Sequence, residues 1–124
     1  MKVKTSELKR AALNWAVAKC EGYKYIEYFK GDHMQIMVSN KKNQGHAFDP
    51  IGTYLNGWSQ GGPIIEREKI SVEIKHDGWW LAQIYNINDD PRWLVVANTT
   101  LIAAMRCYVA SKMGDEVEIP GELL

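Results

Sequence analysis

The stretch Ile70-Ser71-Val72-Glu73-Ile74-Lys75-His76-Asp77-Gly78-Trp79-Trp80-Leu81-Ala82-Gln83-Ile84-Tyr85 decides the fold. Ile70, Val72 and Ile74 alternate with Ser71, Glu73 and Lys75, the period of two that sends successive side chains to opposite faces of a strand. Asp77-Gly78 follows, and Asp-Gly is a strong two-residue hairpin turn because both central positions need positive φ. That turn predicts Ile74 opposite Leu81 and Val72 opposite Gln83. The returning strand, Trp79 to Tyr85, carries Leu81 on one face and Trp80, Ala82 and Ile84 on the other. Apolar residues on both faces predict either a strand covered on both sides or a different register. After the Asn88-Asp89-Asp90-Pro91 turn, Trp93-Leu94-Val95-Val96-Ala97 predicts one more strand.

Outward from the hairpin the period changes. A helix is predicted from about Thr99 to Met113, with Asn98 or Thr99 as N-cap and Gly114 as its stop. On the other side, Leu8, Ala11, Ala12, Trp15 and Ala18 recur at helical spacing. They predict a helix from about Thr5 to Cys20, capped by Thr5 or Ser6 and stopped by Gly22. Tyr23, Tyr25, Ile26, Tyr28 and Phe29 favour a strand. Lys30-Gly31-Asp32 breaks it, and Met34, Ile36 and Val38 predict the second arm of a hairpin. From Ser39 to Gly62 polar residues, glycines and prolines predict a long glycine-rich central loop. Glu116 to Pro120 reads as a short extended edge segment. The expected architecture is a single α+β domain over residues 1–124. It packs an antiparallel sheet of about four to six strands with an N-terminal and a C-terminal helix.

The composition bounds the function. The 124 residues carry 15 basic and 15 acidic side chains, for a formal charge of zero. Nucleic-acid binders usually show a basic excess, so this balance argues against that class. Cys20 and Cys107 are too few for a disulfide scaffold and lack metal-ligand spacing. No apolar run approaches the roughly 18 residues of a membrane span, and the N-terminus has no signal-peptide core. These features predict a protein of the reducing cytoplasm with no membrane partner.

Arg106 is the most informative single residue. On a helical wheel Ile102, Val109 and Met113 lie within about 60° of it. A guanidinium cannot shed its charge, so in an apolar stripe it needs a carboxylate, carbonyls or an anionic ligand. It is therefore either a structural ion pair or an anion clamp. The second candidate is Gly57-Trp58-Ser59-Gln60-Gly61-Gly62-Pro63-Ile64-Ile65-Glu66-Arg67-Glu68. Pro63 suits a helix start, and the glycine pair before it would bare N–H groups to an anion. Trp58 offers a stacking face and Ser59 and Gln60 hydrogen-bonding groups, although the same residues also fit a tight turn over a buried tryptophan. Glu66 is the expected partner of Arg106. The candidate binding set is Trp58, Ser59, Gln60, Gly61, Gly62, Glu66, Arg67 and Arg106. His33, His46 and His76 each sit by a predicted turn without a partner at ligand spacing, so no metal or cofactor is expected. The cysteines read as small buried side chains, Trp79, Trp80 and Trp93 as core, and Tyr23, Tyr25 and Tyr28 as core rather than a stacking ladder.

Four blocks carry a resemblance. They are Lys2-Val-Lys-Thr-Ser-Glu-Leu8, Leu13-Asn-Trp-Ala-Val-Ala-Lys-Cys20, Trp58-Ser-Gln-Gly-Gly-Pro-Ile-Ile-Glu-Arg-Glu68 and Leu101-Ile-Ala-Ala-Met-Arg-Cys-Tyr-Val-Ala-Ser-Lys112. Together they resemble the NinX-like proteins, small accessory proteins of lambda-related temperate phages and their prophages. The resemblance implies a phage-encoded protein acting in the bacterial cytoplasm, and it carries over no catalytic residues. With no recognisable catalytic motif, the expected role is a non-enzymatic binder of a host or phage protein. The alternative is a small-molecule binder or enzyme, with an anionic ligand held between the Gly-Gly-Pro segment and the last helix.

Overall fold

The computed structural model describes residues 1–30, 34–39, 49–50, 57–75, 77–85 and 91–124. The three histidines, Lys41-Lys42, the 86–90 turn and most of the central loop lie outside these residues.

Eight short strands and three α-helices are described, in the order β1 (Lys2–Lys4), α1 (Arg10–Cys20), β2 (Tyr25–Lys30), β3 (Met34–Ser39), β4 (Asp49–Pro50), α2 (Trp58–Arg67), β5 (Ser71–Ile74), β6 (Trp80–Tyr85), β7 (Pro91–Ala97), α3 (Thr100–Met113) and β8 (Glu116–Glu118). The α+β class and the two terminal helices stand as expected. The strands divide among three small antiparallel sheets, ordered β1-β8, β2-β3-β4 and β5-β6-β7. The β1-β8 pair joins the two ends of the chain, with Val3 opposite Val117.

The core centres on α3. Eight of its side chains are buried, among them Met105, Cys107, Tyr108 and Val109. Around it lie Leu13, Ala16 and Val17 of α1, Ile36 and Val38 of β3, Ile64 of α2, and Ala82, Val95 and Ala97 of the β5-β6-β7 sheet. The alanines of α1 and α3 allow these two helices to approach closely, and each apolar side chain removed from water stabilises the fold by about 1.5–3 kcal/mol when large. The stripe of α3 that holds Arg106 is its least buried side. Ile102, Arg106 and Met113 are each half-buried there, whereas Val109 is fully covered.

Four local expectations change. First, the hairpin pairs Ile74 with Trp80 and Val72 with Ala82, one residue away from the expected register. Lys75 N–H donates to the Trp79 carbonyl at 2.7 Å, and Gly78 N–H, at φ +88°, donates to the Lys75 carbonyl at 2.9 Å. The turn is thus one residue longer than a two-residue loop, and Gly78 takes a left-handed position that glycine fills without strain. Val72 and Ile74 then share a face with Trp80 and Ala82 rather than with Leu81.

Second, the first helix is broken. Thr5–Glu7 forms one 3-10 turn, Lys9 is extended, and α1 starts at Arg10. Thr5 is no cap: its buried hydroxyl donates to the Gly114 carbonyl at 2.6 Å, tying the first turn to the end of α3.

Third, Gly61, Gly62 and Pro63 lie inside α2, whose first residue is Trp58, so this part of the expected loop is helical. Pro63 removes one intrahelical donor, which leaves the Ser59 carbonyl without its i+4 partner.

Fourth, Trp79 is 46% exposed beside the turn, whereas Trp80 and Trp93 pack on the core as expected. The stops at Gly22 and Gly114 (φ +84° and +91°) and the Thr99 cap on Ile102 N–H hold as read.

Candidate functional site

The two arginines among the candidate residues have opposite surroundings. Arg67, in the last turn of α2, meets the Glu21 carboxylate fork to fork, with Nη2–Oε2 at 2.5 Å and Nη1–Oε1 at 3.2 Å. Its Nε donates to Glu68 Oε2 at 2.9 Å, and Lys112 on α3 reaches the other oxygen of Glu68 at 3.0 Å. The Tyr108 hydroxyl donates to Glu21 at 2.6 Å and accepts from Arg67 at 3.2 Å, and both cations lie over the Tyr108 ring. Five side chains therefore clasp the C-terminal ends of α1 and α2 to α3. The hydrogen bonds from Arg67, chiefly, hold the Glu68 carboxyl below its usual range. Burial and the Glu21 carboxylate push the Tyr108 hydroxyl well above its usual range. Each of the two cations has a carboxylate to answer its charge, so the clasp is internally paired.

Arg106 stands apart. Its Nε donates to the Leu8 carbonyl at 2.7 Å. In a continuous helix that carbonyl would accept from Ala12 N–H; here the α1 start is displaced and the carbonyl is turned to α3. Arg106 makes no other hydrogen bond and no ion pair among the described residues. The expected Arg106–Glu66 pair is not formed: Glu66 is exposed on α2, which packs at the Tyr108 side of α3. Burial alone lowers the guanidinium's pKa, with no neighbouring charge to offset it, and the group remains a cation.

The guanidinium lines an open groove of about 650 Å³. Lys9 and Arg10 also line it, with Glu7 as the one acidic side chain in the lining. Val3, Leu123 and Leu124 are among its apolar lining residues, and Leu124 is 57% exposed. Arg10 adopts φ +53°, a left-handed conformation that costs a residue with a Cβ about 1 kcal/mol or more. This strained residue lies between Lys9 and the first turn of α1, where no side chain caps the helix and no acidic residue occupies the first turn. A second hollow, of about 510 Å³ between β7 and the β1-β8 pair, carries a net negative lining, with Lys4 against Asp115 and Glu116.

The other candidate residues are not brought to Arg106. Trp58, 57% exposed, and Ser59 lie on the outer side of α2, while Gly61 is buried. Gly62 lies under the Trp58 ring, where an added Cβ would meet Cε3 at an ordinary 3.7 Å. Sequence reasoning missed Lys9 and Arg10 as groove residues. Their signal was present as a basic pair beside the predicted cap, but its meaning depends on the helix break. Among the described residues no group of three or more His, Cys, Asp or Glu side chains has the geometry to hold a metal ion. Burial, chiefly, raises Cys20 and Cys107 to about 12, so both thiols stay protonated. No helix among the described residues is long and apolar enough to cross a membrane.

No curated protein matches the chain. A family model does, described as Bacteriophage P22, NinX, over residues 4–112 of the 124. The match includes the helix break, Lys9, Arg10 and Arg106, together with the whole Arg67 clasp. Since it spans most of the sequence and all three helices, the chain belongs to the NinX family of bacteriophage P22.

Proposed function

We propose that this NinX-family chain is a phage accessory protein of the host cytoplasm that works without catalysis, by binding an acidic segment of a host or phage protein. One observation carries the reading: a half-buried guanidinium with a single backbone acceptor and no ion-pair partner among the described residues, opening on a groove lined by two further cations. A partly desolvated cation attracts an incoming anion more strongly than a fully hydrated one. The groove's aliphatic wall suits a protein partner, because such interfaces pair buried apolar contacts with a charged anchor. Its volume also lies in the range of small-molecule sites, which keeps a small anionic ligand as the second reading.

The test is affinity capture from lysates of infected and lysogenic host cells, comparing the native protein with Arg106→Met and Trp58→Ala. Partners lost with Arg106→Met and kept with Trp58→Ala place the contact at the groove. Loss with Trp58→Ala alone moves it to the outer face of α2, and partners kept by both variants end both assignments.

A further inference from the structure

We propose that the Arg106 groove receives the free carboxylate at the C-terminus of a partner polypeptide, with the partner's last aliphatic side chain against Val3, Leu123 and Leu124. This inference rests on the reading of the groove as a site for an acidic protein segment and names which carboxylate enters.

The geometry of the guanidinium is the first reason. A guanidinium can pair with a carboxylate along either of two edges, Nε–Nη or Nη–Nη. The Leu8 carbonyl occupies Nε at 2.7 Å, which fixes the plane of the group and leaves the end-on Nη–Nη edge without a partner among the described residues. Two parallel N–H donors held in this way match the two oxygens of a planar carboxylate.

The second reason is depth. Arg106 is half-buried, so the anion must reach down to it. A chain end inserts with one backbone strand behind it. An aspartate or glutamate within a chain must bring backbone on both sides to the same depth.

The third reason is the pairing of charge with an apolar wall. In a terminal residue the carboxylate and the side chain branch from one Cα, so an anion and an aliphatic group arrive together. The groove lining holds the same combination, with Lys9, Arg10 and Arg106 beside Val3, Leu123 and Leu124.

The test titrates the full chain, labelled with nitrogen-15, with four probes while recording amide and arginine side-chain resonances. The probes are acetyl-Gly-Gly-Leu as the free acid, the same peptide as its C-terminal amide, acetyl-Leu-Asp-Leu-amide, and inorganic phosphate. The free acid is expected to shift Leu8 to Ala12, Leu123, Leu124 and the Arg106 Nε resonance. It should bind at least about tenfold more tightly than the amide, the difference one charged hydrogen-bonded pair supports. Arg106→Met should remove that preference, and Arg106→Lys, which keeps the charge but loses the fork, should retain only part of it. The acid–amide comparison on the native chain stands even if a variant fails to fold.

Equal binding of acid and amide, or no shift with the acid, overturns the proposal. Tighter binding of the internal aspartate peptide at the same resonances also overturns it while leaving the acidic-segment reading intact. Phosphate shifting the same resonances at equal concentration overturns it in favour of a general anion site. If no peptide shifts the groove and lysate partners survive Arg106→Met, both readings fall together.

Discussion

Arg67 and Arg106 differ both in exposure and in what surrounds them, and the surroundings set their roles. The first is the hub of a clasp, with two carboxylates and a phenol answering it and three helix ends depending on it. The second has one backbone carbonyl and no anion within ion-pair distance among the described residues. A paired guanidinium holds structure together, whereas an unpaired, half-desolvated one is a cost to the fold unless a partner offsets it. The sequence places both in one candidate binding set, and only the partners tell them apart.

The contrast can be broken by exchanging each arginine for methionine, which keeps most of the hydrocarbon stem. The largest effect falls on binding. Arg106→Met should weaken capture of the partner by about 2–5 kcal/mol, read by calorimetry with the captured protein. Its stability should change by no more than about 1 kcal/mol in either direction, because the loss of one backbone hydrogen bond is offset by relief of desolvation. A strong loss of stability would make Arg106 structural and remove the contrast.

Arg67→Met should do the reverse. Urea unfolding should show a loss of about 1–2 kcal/mol, a value kept low because half of the side chain is exposed, with binding unchanged. The next effect sharpens the clasp itself. Tyr108→Phe removes only the hydroxyl that bridges Glu21 and Arg67, and should cost about 1 kcal/mol by the same measurement.

The pH dependence is smaller. The Glu68 carboxyl has a depressed pKa in the folded state, so its stabilisation is fully present above the unfolded value near 4.5 and is lost as pH falls through the lower folded value. Acid unfolding followed by circular dichroism should therefore steepen below about pH 4.5 in the native chain and less so in Arg67→Met. A change in the opposite direction is expected at Asn14. Its side chain is 7% exposed with Oδ1 unpartnered, so Asn14→Leu should raise stability by up to about 1 kcal/mol.

Much of the scaffold is legible from local rules, because caps, stops and alternation are local physics. Thr99 caps α3, Gly22 and Gly114 end their helices with positive φ, and β2 pairs β3 as the alternation predicts. The failures occur where a distant group takes over a local one. Thr5 reads as a cap, yet its hydroxyl goes to a carbonyl 109 residues away. The helix predicted through Leu8 breaks there, and the Leu8 carbonyl accepts instead from Arg106, 98 residues along the chain. Arg106 itself could be singled out from its spacing, but its partner could not, since nothing local states which element will lie opposite α3. The sequence likewise gives no sign of what lies opposite Arg67. Glu21 and Tyr108, which satisfy it, lie 46 and 41 residues away.

The groove's walls come from the opening dozen residues and from Arg106, Leu123 and Leu124, held close by the β1-β8 pairing. Closing so long a stretch of polypeptide is entropically slow, and a nascent chain emerges from its N-terminus first. Leu8 to Arg10 must therefore wait until Arg106, Leu123 and Leu124 have been made before the groove can form. A chain stopped before residue 123 would lack both leucines of the groove, one of them a core residue.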